Sequence, residues 1–145
     1  AWGERVFAPL VAGRPARVTG RLDVPHAVAF IQDVGRAAAE LATRDAALGR
    51  IWIAPHAPAC SAREMVEVAA RTAGVPPRMR ATGPLAMRIG GLFVPAARAT
   101  VEMMHQFMRP FEVDASRIER EFGLTATPLA EGLARTVAWY RRRAA

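Results

Sequence analysis

The two side chains whose spacing comes nearest to that of a reactive or metal-binding site are His56 and Cys60, four positions apart. An imidazole beside a thiol can activate the thiol as a nucleophile, and the two can also serve as zinc ligands. The segment between them contains proline, however, and no second Cys/His pair completes a zinc set. We therefore expect both residues to be structural and the chain to hold no metal. Cys60 is also the only cysteine, which excludes an intrachain disulfide and favours a reducing, cytoplasmic setting.

Lysine chemistry is excluded because all 20 basic residues are arginine. A Schiff base, a phosphate-loop lysine and a Tyr-x-x-x-Lys pair cannot come from this chain, whose one tyrosine is Tyr140. No Gly-x-Gly-x-x-Gly follows a predicted strand, so the turn that holds a dinucleotide phosphate is missing as well. We expect this chain to bind no cofactor by itself and to contain no catalytic residue.

The net charge of +7 would suit a polyanionic partner such as a nucleic acid. The arginines, however, are spread from Arg5 to Arg143 among 13 acidic residues. Their one run, residues 141–143, closes a predicted helix, where cations offset the negative end of the helix dipole. Abundant Ala, Arg, Gly and Pro beside absent Lys and Asn indicates a GC-rich coding bias, so part of the charge is compositional. Nucleic-acid binding is therefore the less favoured alternative.

Hydrophobic periodicity and turn residues predict short elements in the first half of the chain. They are a helix over residues 4–12 that Gly13 ends, an extended stretch at 17–19, a buried strand at 27–31, a helix from Val34 to about Thr43 capped by Asp33, and a strand at 51–53 that includes Trp52.

The second half begins with a capping box, in which Ser61 and Glu64 fix the start of a helix that Gly74 ends. Further along we predict a strand at 78–82, a helix from Pro84 that Gly90 and Gly91 interrupt, a helix over about 95–107 with a stripe of core methionines, a helix over 115–122 capped by Asp114, and a last helix with Thr127 as N-cap and Pro128 at its first position.

The 145 residues, 52% of them hydrophobic, are enough for one packed unit, and no repeat or linker divides residues 1–145. No apolar run reaches the roughly 18 residues of a membrane-spanning helix, and no leader opens the chain. The predicted elements make a helix-rich α/β chain with three or four short strands, which is an incomplete nucleotide-binding fold. Because residue 1 is alanine and a helix follows almost at once, we expect the native start to lie elsewhere.

Four stretches in one order resemble the C-terminal half of the extended short-chain dehydrogenase/reductases, the NAD(P)-dependent epimerase/dehydratase family. They are residues 26–35 (His-Ala-Val-Ala-Phe-Ile-Gln-Asp-Val-Gly), 49–54 (Gly-Arg-Ile-Trp-Ile-Ala), 61–67 (Ser-Ala-Arg-Glu-Met-Val-Glu), and an ending that runs from Asp114 through Gly123 and Thr127 to Tyr140. The match covers nearly the whole chain, and its ending is the most specific part.

The resemblance implies that the glycine-rich turn and the Tyr-x-x-x-Lys of the family lie outside this chain. The chain would then be the substrate-binding lobe of a protein that uses NAD or NADP. It would need its missing N-terminal half, which could be further sequence, a separate subunit or a swapped copy, since open strand edges attract pairing.

The same resemblance places the substrate site at His26, Met104, His105 and Gln106. Many nucleotide-sugar members carry an arginine at the position of His26, and a second arginine near the segment 103–106, which has none here. A neutral imidazole cannot grip a diphosphate as a guanidinium does. We therefore expect a small carbonyl or alcohol compound as substrate rather than a nucleotide sugar.

Two other functions stay open at this point. The chain could be a non-catalytic regulatory or binding module with the same fold, or an arginine-rich nucleic-acid-binding domain. Neither alternative requires a redox partner.

Overall fold

A computed structural model describes residues 3–92 and 101–144. Its α-helices are Ala8–Val11 (α1), Ile31–Ala42 (α2), Ala62–Ala73 (α3), Pro84–Gly91 (α4), Ser116–Phe122 (α5) and Leu129–Ala144 (α6). The strands are Ala16–Thr19 (β1), Pro25–His26 (β2), Cys60–Ser61 (β3) and Met79–Thr82 (β4). A π-helical turn, Gly3–Phe7, leads into α1, and single 3₁₀ turns cover Asp45–Ala47 and Met104–Phe107.

The four strands form two separate two-stranded sheets. β1 and β4 are parallel, with Ala16 beside Met79 and Thr19 beside Thr82. β2 and β3 are antiparallel and pair His26 with Cys60. Parallel strands need a long crossover connection, and α3, which lies in the connection from β1 to β4, shares the main core with Ala16 and Val18 of β1.

Helix α3 begins at the predicted capping box. The Ser61 hydroxyl accepts from the Glu64 amide at 3.2 Å, and the Glu64 carboxylate accepts from the Ser61 amide at 2.7 Å. The hydrogen bonds that the carboxylate accepts from the Ser61 amide and hydroxyl lower the pKa of Glu64. The helix ends at Gly74 with a φ of 61°, the left-handed stop that a glycine allows without strain.

The main core lies between the first helical segment, β1, α3 and α6. Its most deeply buried large side chains are Val6, Leu10, Val66 and Val137. β1 contributes Ala16 and Val18 to this core and turns Arg17 to solvent, as the two-residue period of a strand requires.

A second, smaller cluster holds α2 against α5, with Ala37, Ile118 and Leu124 at its centre. Trp52 packs edge-on against Phe122, with ring centroids 4.9 Å apart. Elsewhere in the cluster the contacts are made by alanine and partly buried side chains, so the apolar area buried here is modest.

Asp33 connects the two clusters. Its side chain is only 3% exposed, and its two carboxylate oxygens accept from the Thr127 amide at 2.7 Å and the Thr127 hydroxyl at 2.8 Å. Arg36 also donates to Asp33 at 3.1 Å and to the Thr125 carbonyl at 2.6 Å. The start of α2 is thereby fixed to the residues that enter α6.

This geometry corrects the expected role of Asp33. Helix α2 begins at Ile31 rather than Val34, and its N-cap, Phe30, makes no side-chain capping bond. Asp33 therefore lies inside the first turn, and its carboxylate is used for a contact with Thr127, 94 positions away, rather than for its own helix. Asp114 lies one position before Ala115, the N-cap of α5, and its carboxylate accepts from the Ser116 amide at 2.8 Å.

Two predicted strands are wrong. Within the described residues 27–31, the backbone hydrogen-bonds only once across the chain, from the Ala27 amide to Phe111, before α2 begins. Residues 51–53 are irregular, and the Trp52 indole donates to the Ala47 carbonyl at 3.0 Å. Both stretches have the composition of strands, but neither has a neighbouring strand among the described residues to complete a ladder.

Several other predicted segments agree with the structure. The segments at 4–12, 17–19 and 78–82 have the expected conformations, and Gly13 and Gly123 end their helices with positive φ. Of the helix expected at 95–107, residues 95–100 lie outside the described part, and the stretch 104–107 is a 3₁₀ turn. Among the described residues, no helix is both long enough and apolar enough to cross a membrane.

The Asp33 contact leads to a stability prediction. Asp33→Ala should lower the free energy of unfolding by about 3 kcal/mol, because it leaves the Thr127 donors and Arg36 without their buried acceptor. Urea unfolding followed by circular dichroism measures the change. Asp45→Ala, at an exposed aspartate in a 3₁₀ turn, is the matched control, and equal destabilisation by the two substitutions would contradict the assignment.

Candidate functional site

Three of the four residues expected to bind substrate line one cavity of about 620 Å³. The cavity is bounded by His26, His105, Gln106, Phe107, Arg109, Pro110 and Phe111. Its volume falls within the range of small-molecule sites, roughly 300–1,000 Å³. Met104, the fourth expected residue, is only 5% exposed and does not line the cavity, so the structure gives it a packing position instead.

Gly20 allows Phe107, on one side of the cavity, to lie close to the end of β1. Its φ is 84°, and a Cβ at this position would overlap both the backbone and the Cβ of Phe107. The neighbouring Arg21 amide donates to the Phe107 carbonyl at 3.1 Å. A glycine at position 20 is therefore required both by the backbone conformation and by the space that Phe107 occupies.

His26 connects the Gln106 part of the cavity lining to β2. Its Nε2 lies 2.8 Å from the Gln106 carbonyl and its Nδ1 lies 3.0 Å from the Val24 carbonyl. Backbone hydrogen bonds of 3.0 and 2.7 Å tie Phe111 to Pro25 and Ala27 on either side. Since both ring nitrogens face carbonyl oxygens, His26 acts here as a positioning residue that shapes the cavity.

His56 makes an equivalent attachment at the other end of this stretch. Its Nδ1 lies 2.8 Å from the Ala57 carbonyl and its Nε2 lies 3.1 Å from the Val113 carbonyl. Residues 104–113, called the wall segment below, are thus held near both ends by imidazole rings from elsewhere in the chain. His105, within the wall segment, contacts only the nearby Glu102 carbonyl, at 3.1 Å.

Arg109 is the cavity residue that the sequence analysis missed. Its guanidinium is exposed and forms no ion pair with another described residue. The arginine expected from the resemblance is absent from residues 103–106, but Arg109 follows three positions later. The turn before Pro110 brings Arg109 into the cavity. The sequence signal was an arginine next to a proline near the expected site.

Cys60 lies opposite His26 in the β2–β3 pair but has the properties of a structural thiol. Partial burial, and to a lesser degree the Glu64 carboxylate, raise the pKa of Cys60. Less of it is therefore the reactive thiolate at neutral pH. In residues 3–92 and 101–144, no three His, Cys, Asp or Glu side chains come together in a way that could hold a metal ion.

No protein-family model matches the sequence, and no curated protein is significantly similar to it. Solved structures do match. The UDP-glucuronic acid 4-epimerase from Bacillus cereus, determined in complex with NAD, superposes with a TM-score of 0.68 over 99% of this chain at 12% identity. RMD from Pseudomonas aeruginosa, determined with NADPH, gives 0.61 over 97% at 19% identity, and gox2253 gives 0.65 over 97% at 16% identity.

This chain spans only 40%, 41% and 43% of those three chains, respectively. At these identities the likeness concerns the fold. It confirms the expected fold, that of an extended short-chain dehydrogenase/reductase represented in part and with an incomplete sheet.

The contacts of His26 predict a local effect on the wall segment. His26→Ala should speed hydrogen exchange at the Phe111 and Arg21 amides by about tenfold, because one side-chain attachment worth roughly 1.4 kcal/mol is lost. Exchange measured by mass spectrometry or NMR tests this. His105→Ala removes only a contact within its own turn and should leave both amides unchanged; the same acceleration in both variants would refute the positioning role.

The environment of Cys60 predicts slow alkylation. Because its pKa is raised, the rate of reaction with iodoacetamide should reach half its maximum at a higher pH in the folded protein than in the urea-unfolded protein. The unfolded sample is the internal control. Coincident rate profiles would show that the thiol is not shielded as described.

Proposed function

We propose that this chain is the substrate-binding part of an NAD(P)-dependent epimerase, dehydratase or reductase whose substrate is a small carbonyl or alcohol compound rather than a nucleotide sugar. The observation that carries the proposal is the superposition of 97–99% of this chain on about two fifths of two proteins, one solved with NAD and one with NADPH. The dinucleotide-binding part would come from a further polypeptide segment that resembles the rest of those proteins.

An exposed surface larger than that of a compact monomer supports such a complement. The chain exposes 9220 Å², whereas a compact monomer of 15.7 kDa exposes about 7,300 Å². The difference of about 1,900 Å² is large compared with the roughly 800 Å² that each partner buries in a standard interface. Large apolar side chains remain in water, among them Ile31 at 75%, Leu48 at 68% and Ile51 at 86% exposure.

A mostly apolar cavity of about 370 Å³ is part of that surface. Phe30 and Ile31 line it from one side, and Leu129, Gly132 and Tyr140 from the other. Residues 27–30 enter it as an extended segment without a strand partner among the described residues. An added β-sheet edge would satisfy their backbone groups and cover the apolar side chains in one step.

The charge of the substrate cavity supports a small substrate. Arg109 is the one arginine among its described lining residues, and His26 is engaged with two carbonyl oxygens. A diphosphate carries at least two charges and favours several bidentate donors. One guanidinium matches a single anionic group, such as a carboxylate, on a compact molecule.

In this arrangement the chain binds and orients the substrate. Arg109 would hold the anionic group, and the wall segment would set the distance from that group to the reacting carbon. The proton-transferring tyrosine, its lysine and the nicotinamide, which supplies hydride chemistry when bound, would come with the complementary part. Substitutions in this chain should therefore alter substrate choice more than cofactor affinity.

The test uses the complete gene product that contains these residues, assayed with NADH and NADPH against a panel of carbonyl compounds. Turnover should be seen, with preference for substrates that carry one carboxylate. Arg109→Gln should raise KM for those substrates by about tenfold or more, the cost of one charge-assisted hydrogen bond, while KM for neutral analogues and the Kd of the cofactor stay constant. Arg88→Gln, at an exposed arginine on α4, is the charge-matched control.

Three results would count against the proposal. Absence of cofactor binding would favour the non-catalytic module, and turnover of a nucleotide diphosphate sugar would overturn the substrate assignment. Carbonyl reduction by the isolated 145-residue chain would show that no complementary part is needed.

A further inference from the structure

A separate cavity of about 430 Å³ lies near the amino-terminal ends of β1 and β4. It is lined by Glu4, Arg5, Pro9, Arg14, Pro15, Arg17 and Arg80, and is called the arginine cavity below. It shares no lining residue with the cavity of His26 and Arg109. Three arginines from residues 5–17 and the distant Arg80 therefore meet around one concave site.

The strand register forces two of these charges together. Arg17 and Arg80 are direct partners in the parallel β1–β4 pair, and both are exposed. Like charges in adjacent strand positions destabilise a sheet unless something offsets them. The fold thus places Arg17 and Arg80 at paired positions of adjacent strands, and neither forms an ion pair with a described residue.

The acids of the chain do not neutralise this cluster. None of the four arginines forms an ion pair or side-chain hydrogen bond with another described residue. Glu4, the one acid among the lining residues, lies 3.9 Å from Arg143. Elsewhere arginines do have carboxylate partners, as in the Arg44–Glu40 and Arg117–Glu121 pairs. The arginine cavity is therefore a local excess of positive charge and not an average sample of a basic surface.

We propose that the arginine cavity binds a small anion that carries two or more phosphate groups. Guanidinium groups match phosphate oxygens with bidentate hydrogen bonds, and four of them around a concavity focus positive potential on one point. The volume fits a small molecule, and Pro9 and Pro15 give two of the walls a restricted backbone. The site would act independently of the redox function proposed above.

A small ligand is favoured over a nucleic acid by the shape of the charge distribution. The four arginines surround one cavity, whereas a nucleic acid needs cations spaced along an extended backbone path. A phosphorylated ligand could be a free effector or the phosphorylated arm of a larger molecule. Both share the chemistry that pyrophosphate tests.

The experiment measures pyrophosphate binding to the complete gene product by calorimetry at low ionic strength. Arg17→Gln/Arg80→Gln should weaken binding by at least about tenfold, since the loss of each charge-assisted contact costs on the order of 1.4 kcal/mol or more. Arg71→Gln/Arg142→Gln removes the same charge from exposed positions outside the cavity and should leave the Kd within about twofold. Arg109→Gln, in the substrate cavity, should also have no effect.

Each outcome decides a specific point. Absence of pyrophosphate binding, or equal weakening by the two double variants, would overturn the site. Tighter binding of single-stranded oligonucleotides, with a steep salt dependence that both double variants reduce, would replace the small ligand with a nucleic acid. Pyrophosphate that binds without competing with a turnover substrate supports a site separate from the substrate cavity, whereas competition between the two would overturn the independent site. Circular dichroism of all variants verifies that they fold.

Discussion

The arrangement of this molecule depends on one buried carboxylate. Asp33 joins the first turn of α2 to Thr127 at the entrance of α6, and Arg36 extends the link to the Thr125 carbonyl. The smaller hydrophobic cluster around Ile118 shares no buried residue with the main core. Directional hydrogen bonds to a charged acceptor supply the orientation that nonpolar packing does not. Through Asp33, the α2 side of the apolar cavity keeps its position relative to Leu129 and Gly132.

Features that depend on neighbours in sequence could be predicted. The Ser61–Glu64 capping box, the glycine stops at Gly74 and Gly123, and the core face of α3 all follow from contacts within a few residues. Such local rules need no knowledge of the rest of the fold. The fold class came from the resemblance of four ordered stretches to a known family, and the structural comparisons agree with it.

Features that depend on distant partners could not be predicted in the same way. Residues 27–31 and 51–53 have strand composition, yet a strand forms only where another strand lies beside it. The Asp33 carboxylate could serve its own helix or a remote amide, and the sequence does not distinguish these uses. Arg109 was missed because its place in the cavity results from the path of the wall segment. The pairing of Arg17 with Arg80 likewise depends on the parallel register of β1 and β4, two strands far apart in sequence.

The way the wall segment is held has a consequence for divergence among related proteins. Its attachments are the Gly20 backbone, two imidazole rings and a short run of main-chain hydrogen bonds. The buried centres of both hydrophobic clusters lie outside it. Most side chains between positions 105 and 112 can therefore be substituted without repacking either cluster. Substitution of a few exposed residues in the wall segment can therefore change which ligand the protein recognises while its folding stability stays nearly constant.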